Sequence, residues 1–114
     1  MKKELKDKWI TALRSGEYTQ AYGSLKLAPG CFCAIGLLYE VAIGVWEEYD
    51  SPVSARIIYF TQDRREAVLD DTDKKFGLPR EQMFHIMKMN DLIGQNATFE
   101  EIANYVEEYV EVEE

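Results

Sequence analysis

The sequence predicts an α+β fold: a mostly helical single domain carrying a small antiparallel β-sheet. Three observations lead there. Apolar residues recur at helical spacing through most of the chain. Pro29-Gly30 separates two short stretches with strand-like alternation. A length of 114 residues supports one hydrophobic core but not two.

Leu5, Trp9, Ala12 and Leu13 fall on one stripe with lysines between them, and Gly16 supplies a stop, so the chain opens with an amphipathic helix. Leu25-Lys26-Leu27, the Pro29-Gly30 turn and Cys31-Phe32-Cys33 read as a hairpin, with Leu25 and Leu27 on one strand and Phe32 on the other. Residues 34–45 are apolar almost throughout, with Glu40 the only charge, which describes a buried hub helix. Gly36 and Gly44, eight residues apart on nearly one face, would admit another element closely.

Residues 47–54 form a polar connection. Residues 56–60 are β-branched and aromatic, and read either as a strand or as the start of a helix capped by Ser51 with Pro52 in its first turn. Val68, Leu69, Thr72 and Phe76 make a thin stripe on a helix over 64–76, stopped by Gly77-Leu78-Pro79. A short helix over 80–89 uses Met83, Phe84, Ile86 and Met87, and residues 90–97 read as a loop. Thr98 and Glu101 have capping-box spacing. The last helix, over 99–110, would bury Phe99, Ile102, Ala103, Val106 and either Tyr109 or Val110. Its C-terminal glutamates oppose the helix dipole, so that end is expected to fray. The expected organisation is one domain over 1–110 with an acidic tail at 111–114.

The net charge of −8 is unevenly distributed: residues 100–114 hold seven glutamates and no Lys or Arg, while the first 99 residues carry 14 acids against 13 bases. The basic opening segment (Lys2, Lys3, Lys6, Lys8, Arg14) is an obvious partner for the acidic last helix. A chain polarised in this way lacks the basic stripe of a nucleic-acid binder, which argues against direct nucleic-acid binding. The acidic face could instead mimic DNA, or simply be a solvated helix back. No apolar run approaches the ~18–20 residues that span a bilayer. Met1-Lys2-Lys3-Glu4 lacks the apolar stretch of a signal peptide. The expected location is the cytoplasm, with no membrane partner. Cys31 and Cys33 are expected to be reduced and buried, since a disulfide across one residue is strained. Two thiols and one histidine do not make a structural zinc site, and no metal or cofactor is expected.

The residues that could carry chemistry have two readings each. Arg14, Tyr18, Gln20 and Lys26 cluster around the first turn and hairpin; a guanidinium, a stackable ring, an amide and an ammonium suit a nucleotide-like anion. The same four could be a packed tyrosine with polar groups capping backbone. Asn90-Asp91 could read a base edge and ribose hydroxyls, or satisfy loop amides as Asx-turns do. His85, the only histidine, reads best as a partly buried structural residue. Asp70-Asp71-x-Asp73 lacks the glycine and glutamate of a calcium loop and reads as a solvated helix face. Asn96-Ala97-Thr98 matches a glycosylation sequon by chance. No standard catalytic motif is present, so an enzyme is not expected.

Four short patterns occur in order: Trp9-x-x-Ala12-Leu13-Arg14-Ser15-Gly16-x-Tyr18-x-Gln20; Phe32-Cys33-Ala34-Ile35-Gly36-Leu37-Leu38; Met89-Asn90-Asp91; and Thr98-Phe99-x-Glu101-Ile102-Ala103. In order and spacing they resemble a family of small proteins encoded by tailed phages and prophages, most without an assigned activity. The resemblance runs over residues 9–106 and is weakest over 47–76. It implies an accessory protein that acts on the host. The expected function is a non-catalytic binder that interferes with a host defence or regulatory component, by docking on a host protein or by sequestering a nucleotide signal. The alternatives are an acidic DNA mimic and a small enzyme. A homodimer also suits so small and aromatic-rich a chain.

Overall fold

The computed structural model describes residues 1–22, 25–44, 62–91 and 97–113. The connection at 47–54, the strand-or-helix alternatives at 56–60, Val45 of the hub helix and Asn96 of the sequon lie outside the described residues. The fold is α+β, and the described residues form five helices and a three-stranded sheet.

Helix α1 (Lys3–Arg14) buries Trp9, Ile10, Ala12 and Leu13, and Gly16 follows with φ +75°. Strands β1 (Thr19–Gln20), β2 (Lys26–Ala28) and β3 (Cys31–Phe32) form a sheet in the order β1-β3-β2. β2 and β3 are the expected antiparallel pair. β1 instead runs parallel to β3, with Thr19 opposite Cys31 and Gln20 opposite Phe32. The sheet is therefore mixed: β3 lies between the other two strands, parallel to β1 and antiparallel to β2. Leu25 is fully buried, but Leu27 is 66% exposed and does not join it on the core face. The cause is an irregularity in the pairing between Lys26 and Ala28, which breaks the alternation.

Helix α2 (Ala34–Ala42) is the hub, but only in its first half. Every side chain over residues 34–39 is buried, whereas Ala42 and Ile43 reach solvent. Gly36 is where the hub is approached most closely: a Cβ there would lie 1.8 Å from the Leu25 carbonyl oxygen. Gly44 has a different role from the one its spacing suggested. It lies beyond the helix with φ +74° and ends it.

Helix α3 (Gln62–Phe76) buries Val68, Leu69, Thr72 and Phe76, and is followed by Gly77 at φ +69°. Helix α4 (Arg80–Asp91) buries Met83, Ile86, Met87 and Asn90. These make an i, i+3, i+4, i+7 stripe that leaves Phe84 to one side and 38% exposed, so Phe84 is not the core residue it was expected to be. Asn90 and Asp91 close α4 rather than opening a loop. Helix α5 (Phe99–Tyr109) starts with the predicted capping box: Thr98 Oγ1 accepts from Glu101 N at 3.2 Å, and Thr98 N donates to Glu101 Oε1 at 3.3 Å. Val110 is buried and Tyr109 is not, which decides between the two.

α1 packs along both α2 and α5. Lys6 Nζ donates to the carbonyl oxygens of Glu107 (3.1 Å) and Val110 (2.6 Å), placing a cation on the C-terminal end of α5. That end is thus held by a favourable charge where the glutamates alone predicted fraying. The segment at 111–113 returns beside the chain start, where Glu113 N donates to the Met1 carbonyl at 2.8 Å. Among the described residues no helix is long and apolar enough to cross a membrane.

The Gly36 contact is backbone against backbone and cannot be relieved by a side-chain rotation. Gly36→Ala is expected to destabilise the fold by about 3 kcal/mol or more, the upper end of overpacking costs, read as a lowered urea midpoint.

Candidate functional site

Asn90 is 1% exposed, and both ends of its amide are fully engaged. Oδ1 accepts from Gln20 Nε2 at 2.8 Å and from the Ala34 backbone N–H at 3.3 Å. Nδ2 donates to the Ala21 carbonyl at 2.8 Å and to Asp91 Oδ1 at 2.6 Å. Gln20 Nε2 donates in addition to the Ala97 carbonyl at 2.8 Å. Gln20, Asn90 and Asp91 are therefore brought together, as a pocket would require, but the amide of Asn90 faces inward and joins β1, α2 and α4. All four of its hydrogen-bonding positions are in use.

The other three residues singled out by sequence go elsewhere. Arg14 reaches across to α5, where its guanidinium donates to Glu107 Oε2 at 2.9 Å and to Asn104 Oδ1 at 2.8 Å, and lies 3.4 Å from Glu100 Oε1. The hydrogen bond from Arg14 holds the Glu107 carboxyl below its ordinary pKa, and the same bond raises that of Arg14. Tyr18 packs edge-on against Phe32, with ring centroids 5.8 Å apart, and Lys26 Nζ lies 5.8 Å from the centroid of the same ring. The six residues thus form three groups: Gln20, Asn90 and Asp91; Tyr18 and Lys26 on Phe32; and Arg14 on α5.

A second polar cluster joins α2 to α3. Tyr39 Oη donates to Asp71 Oδ2 at 2.5 Å and lies 3.0 Å from Thr72 Oγ1, which donates to the Val68 carbonyl at 2.7 Å. Lys75 Nζ lies 3.4 Å from the same Asp71 oxygen. Burial, and then the Asp71 carboxylate, push the Tyr39 phenol well above its ordinary pKa. Asp70 and Glu66 both bind Arg80. Among the described residues no group of His, Cys, Asp and Glu could hold a metal ion. Cys33 is the N-cap of α2, its Sγ accepting from Gly36 N at 3.3 Å. Both cysteines are free thiols; Cys33 is buried as expected, while Cys31 is only half-buried.

The surface of α4 and α5 carries the feature that sequence reasoning missed. His85 is exposed, contrary to the expectation of a partly buried residue, because it lies off the Met83–Ile86–Met87 stripe. Its ring stacks on Tyr105 with centroids 4.6 Å apart and planes 30° apart. Tyr105 in turn meets Tyr109 at 4.9 Å, and Tyr109 is 53% exposed. Burial and then the neighbouring Tyr109 raise the Tyr105 phenol pKa. The available signal was the i, i+4 spacing of Tyr105 and Tyr109 on a helix whose core stripe was already filled by Ile102, Ala103 and Val106.

These features belong to a small α+β domain whose polar interior is closed and whose aromatic residues partly face outward. The chain belongs to the family described as a domain of unknown function, DUF8296, which matches residues 1–66. The matched span takes in the motifs around Trp9 to Gln20 and Phe32 to Leu38. Comparison with curated proteins and with solved structures finds no match.

Asn90→Ala leaves the Ala34 amide and the Ala21 carbonyl without their partner in the interior, and is expected to cost about 3 kcal/mol in chemical denaturation. Asn90→Asp, which turns the donating end into a carboxylate facing a carbonyl, is expected to cost more.

The raised pKa of Tyr39 makes the stability of the fold fall at alkaline pH. Below pH 10, the ordinary value, native and unfolded chains both hold the phenolic proton. Above it the unfolded chain releases a proton that the native chain retains, so stability falls as pH rises. Tyr39→Phe is expected to be less stable than wild type at neutral pH and to lose less stability on going to alkaline pH, followed by circular dichroism.

Proposed function

We propose that this chain is a non-catalytic accessory protein of a phage or prophage that acts in the host cytoplasm by docking on a host defence or regulatory protein. The resemblance of its four motifs to small phage proteins supports the source. The observation that carries docking is the division of its side chains: the polar groups suited to a nucleotide are committed internally, while His85, Tyr105 and Tyr109 line the outside. Tyrosines at exposed, rigid positions supply large contact area at low entropic cost, as binding surfaces require.

Sequestering a nucleotide signal is the weaker form of the reading. It would require Asn90 to leave four hydrogen bonds and Arg14 to leave three partners on α5. Mimicry of DNA is weakened by the same arginine, which sets a cation between Glu100 and Glu107 within the acidic run.

The test is native mass spectrometry of the protein purified gently from prophage-induced host lysate. The expected result is a host protein chain retained in fixed ratio, whose own activity the purified protein inhibits in a reconstituted assay. Retention of a mass of a few hundred daltons with no partner chain would replace docking by sequestration. A bare chain would remove both.

A further inference from the structure

The rings on α4 and α5 have a chemical setting that narrows what they would take. The ladder His85, Tyr105, Tyr109 crosses from one helix to the other. α4 and α5 run antiparallel here, with Gln82 Nε2 donating to the Tyr109 carbonyl at 2.6 Å at one end. At that end Met1, Glu81, Gln82, Glu111 and Glu113 line a recess of about 440 Å³, in which the Met1 ammonium lies 3.6 Å from Glu113 Oε1 and leaves Glu81 and Glu111 without a partner cation among the described residues. Glu108 is exposed and follows Tyr105 by three positions, the spacing that makes the two neighbours on the surface of α5. Glu81, Glu108 and Glu111 make no ion pair among the described residues, unlike Glu100 and Glu107, which Arg14 holds on the α1 side of α5. The face therefore combines π-faces with uncompensated carboxylates. Nearby, the chain already seats a cation on a ring, with Lys88 Nζ 5.0 Å from the Phe84 centroid.

We propose that the α4–α5 face is a docking surface for an arginine-bearing segment of a partner protein, with a guanidinium stacking on Tyr109, the exposed outer ring of the ladder that His85 and Tyr105 hold in place, and guanidinium groups pairing with Glu81, Glu108 and Glu111. Guanidinium fits both halves of the surface. It is planar and weakly hydrated, so it stacks on aromatic rings, and its fork of donors matches carboxylates. Charge complementarity excludes an acidic partner, since a like-charged segment would meet the glutamates of α5 and a chain of net charge −8. This inference rests on the docking reading and names its partner's chemistry.

The test uses the full chain and fluorescein-labelled nona-arginine, nona-lysine and oligothymidine, followed by fluorescence anisotropy at about 0.15 M salt, where long-range attraction is largely screened. Nona-arginine is expected to bind, with nona-lysine a few-fold weaker. Tyr109→Ala and His85→Ala, both at exposed positions and checked for an unchanged thermal midpoint, are each expected to weaken nona-arginine by about tenfold. Glu17→Gln, in the turn after α1, is expected to leave it unchanged. Equal affinity in wild type, Tyr109→Ala and His85→Ala overturns the proposal, as does a failure of nona-arginine to bind. Oligothymidine binding that Tyr109→Ala abolishes overturns it in favour of a single-stranded nucleic acid. A sedimenting dimer that Tyr109→Ala dissociates overturns it in favour of a second copy of this chain. The two readings fail separately: loss of peptide binding leaves capture and inhibition of a host protein intact, and absence of such a host protein leaves peptide binding intact.

Discussion

The constraint on which this fold depends is a helix that begins inside the protein. The first turn of α2 is enclosed, and the amides of a helix start have no partner within the helix. Water cannot reach them, so other parts of the chain must. Asn90 supplies an oxygen to the Ala34 amide from α4, and Cys33 supplies its sulfur to Gly36. The Ala34 carbonyl, at the same point, accepts from the Trp9 indole of α1 at 2.9 Å. Gly36, lacking a side chain, lets the backbone at Leu25 close over the turn. Three helices and the sheet are thus referred to one point.

The same arrangement separates the two flanks of α5. On one flank Arg14 and Lys6 of α1 bind acidic side chains and terminal carbonyls, so charge there is balanced within the molecule. On the other, α4 contributes a histidine and the helix presents tyrosines beside acids with no internal counterpart. A surface of this kind is rigid because α4 is held from behind by the Asn90 network, which fixes the helix carrying one edge of the ladder.

Most of the helical framework could be read from sequence because each helix follows a periodic rule: the stripes of α1, α3 and α5, the box at Thr98 and the stop at Gly16 each depend on neighbours a few residues away. What could not be read depends on distant partners. Two paired residues in β1 carry no alternation from which a parallel register could be inferred. Asn90 next to Asp91 has the local signature of a loop, and only the arrival of Gln20, Ala21 and Ala34 makes it an interior amide. Of the six proposed site residues, sequence proximity grouped Arg14 with Tyr18 and Gln20, although a helix end separates where their side chains go. His85 sits between the apolar Phe84 and Ile86, yet consecutive residues on a helix point about 100° apart, and its neighbours in sequence do not set its exposure.

The contact between α1 and α5 joins parts of the chain that are far apart along it: the bond from Lys6 to Val110 spans 104 positions, and that from Arg14 to Glu107 spans 93. Closing so long a loop is entropically costly and makes a fold slow relative to one built from local contacts. It also orders events during synthesis. The apolar stripe of α1 leaves the ribosome well before α5, the helix that covers one side of it. In the interval that stripe has no native neighbour there, so the nascent chain presents a hydrophobic segment to chaperones until α5 emerges.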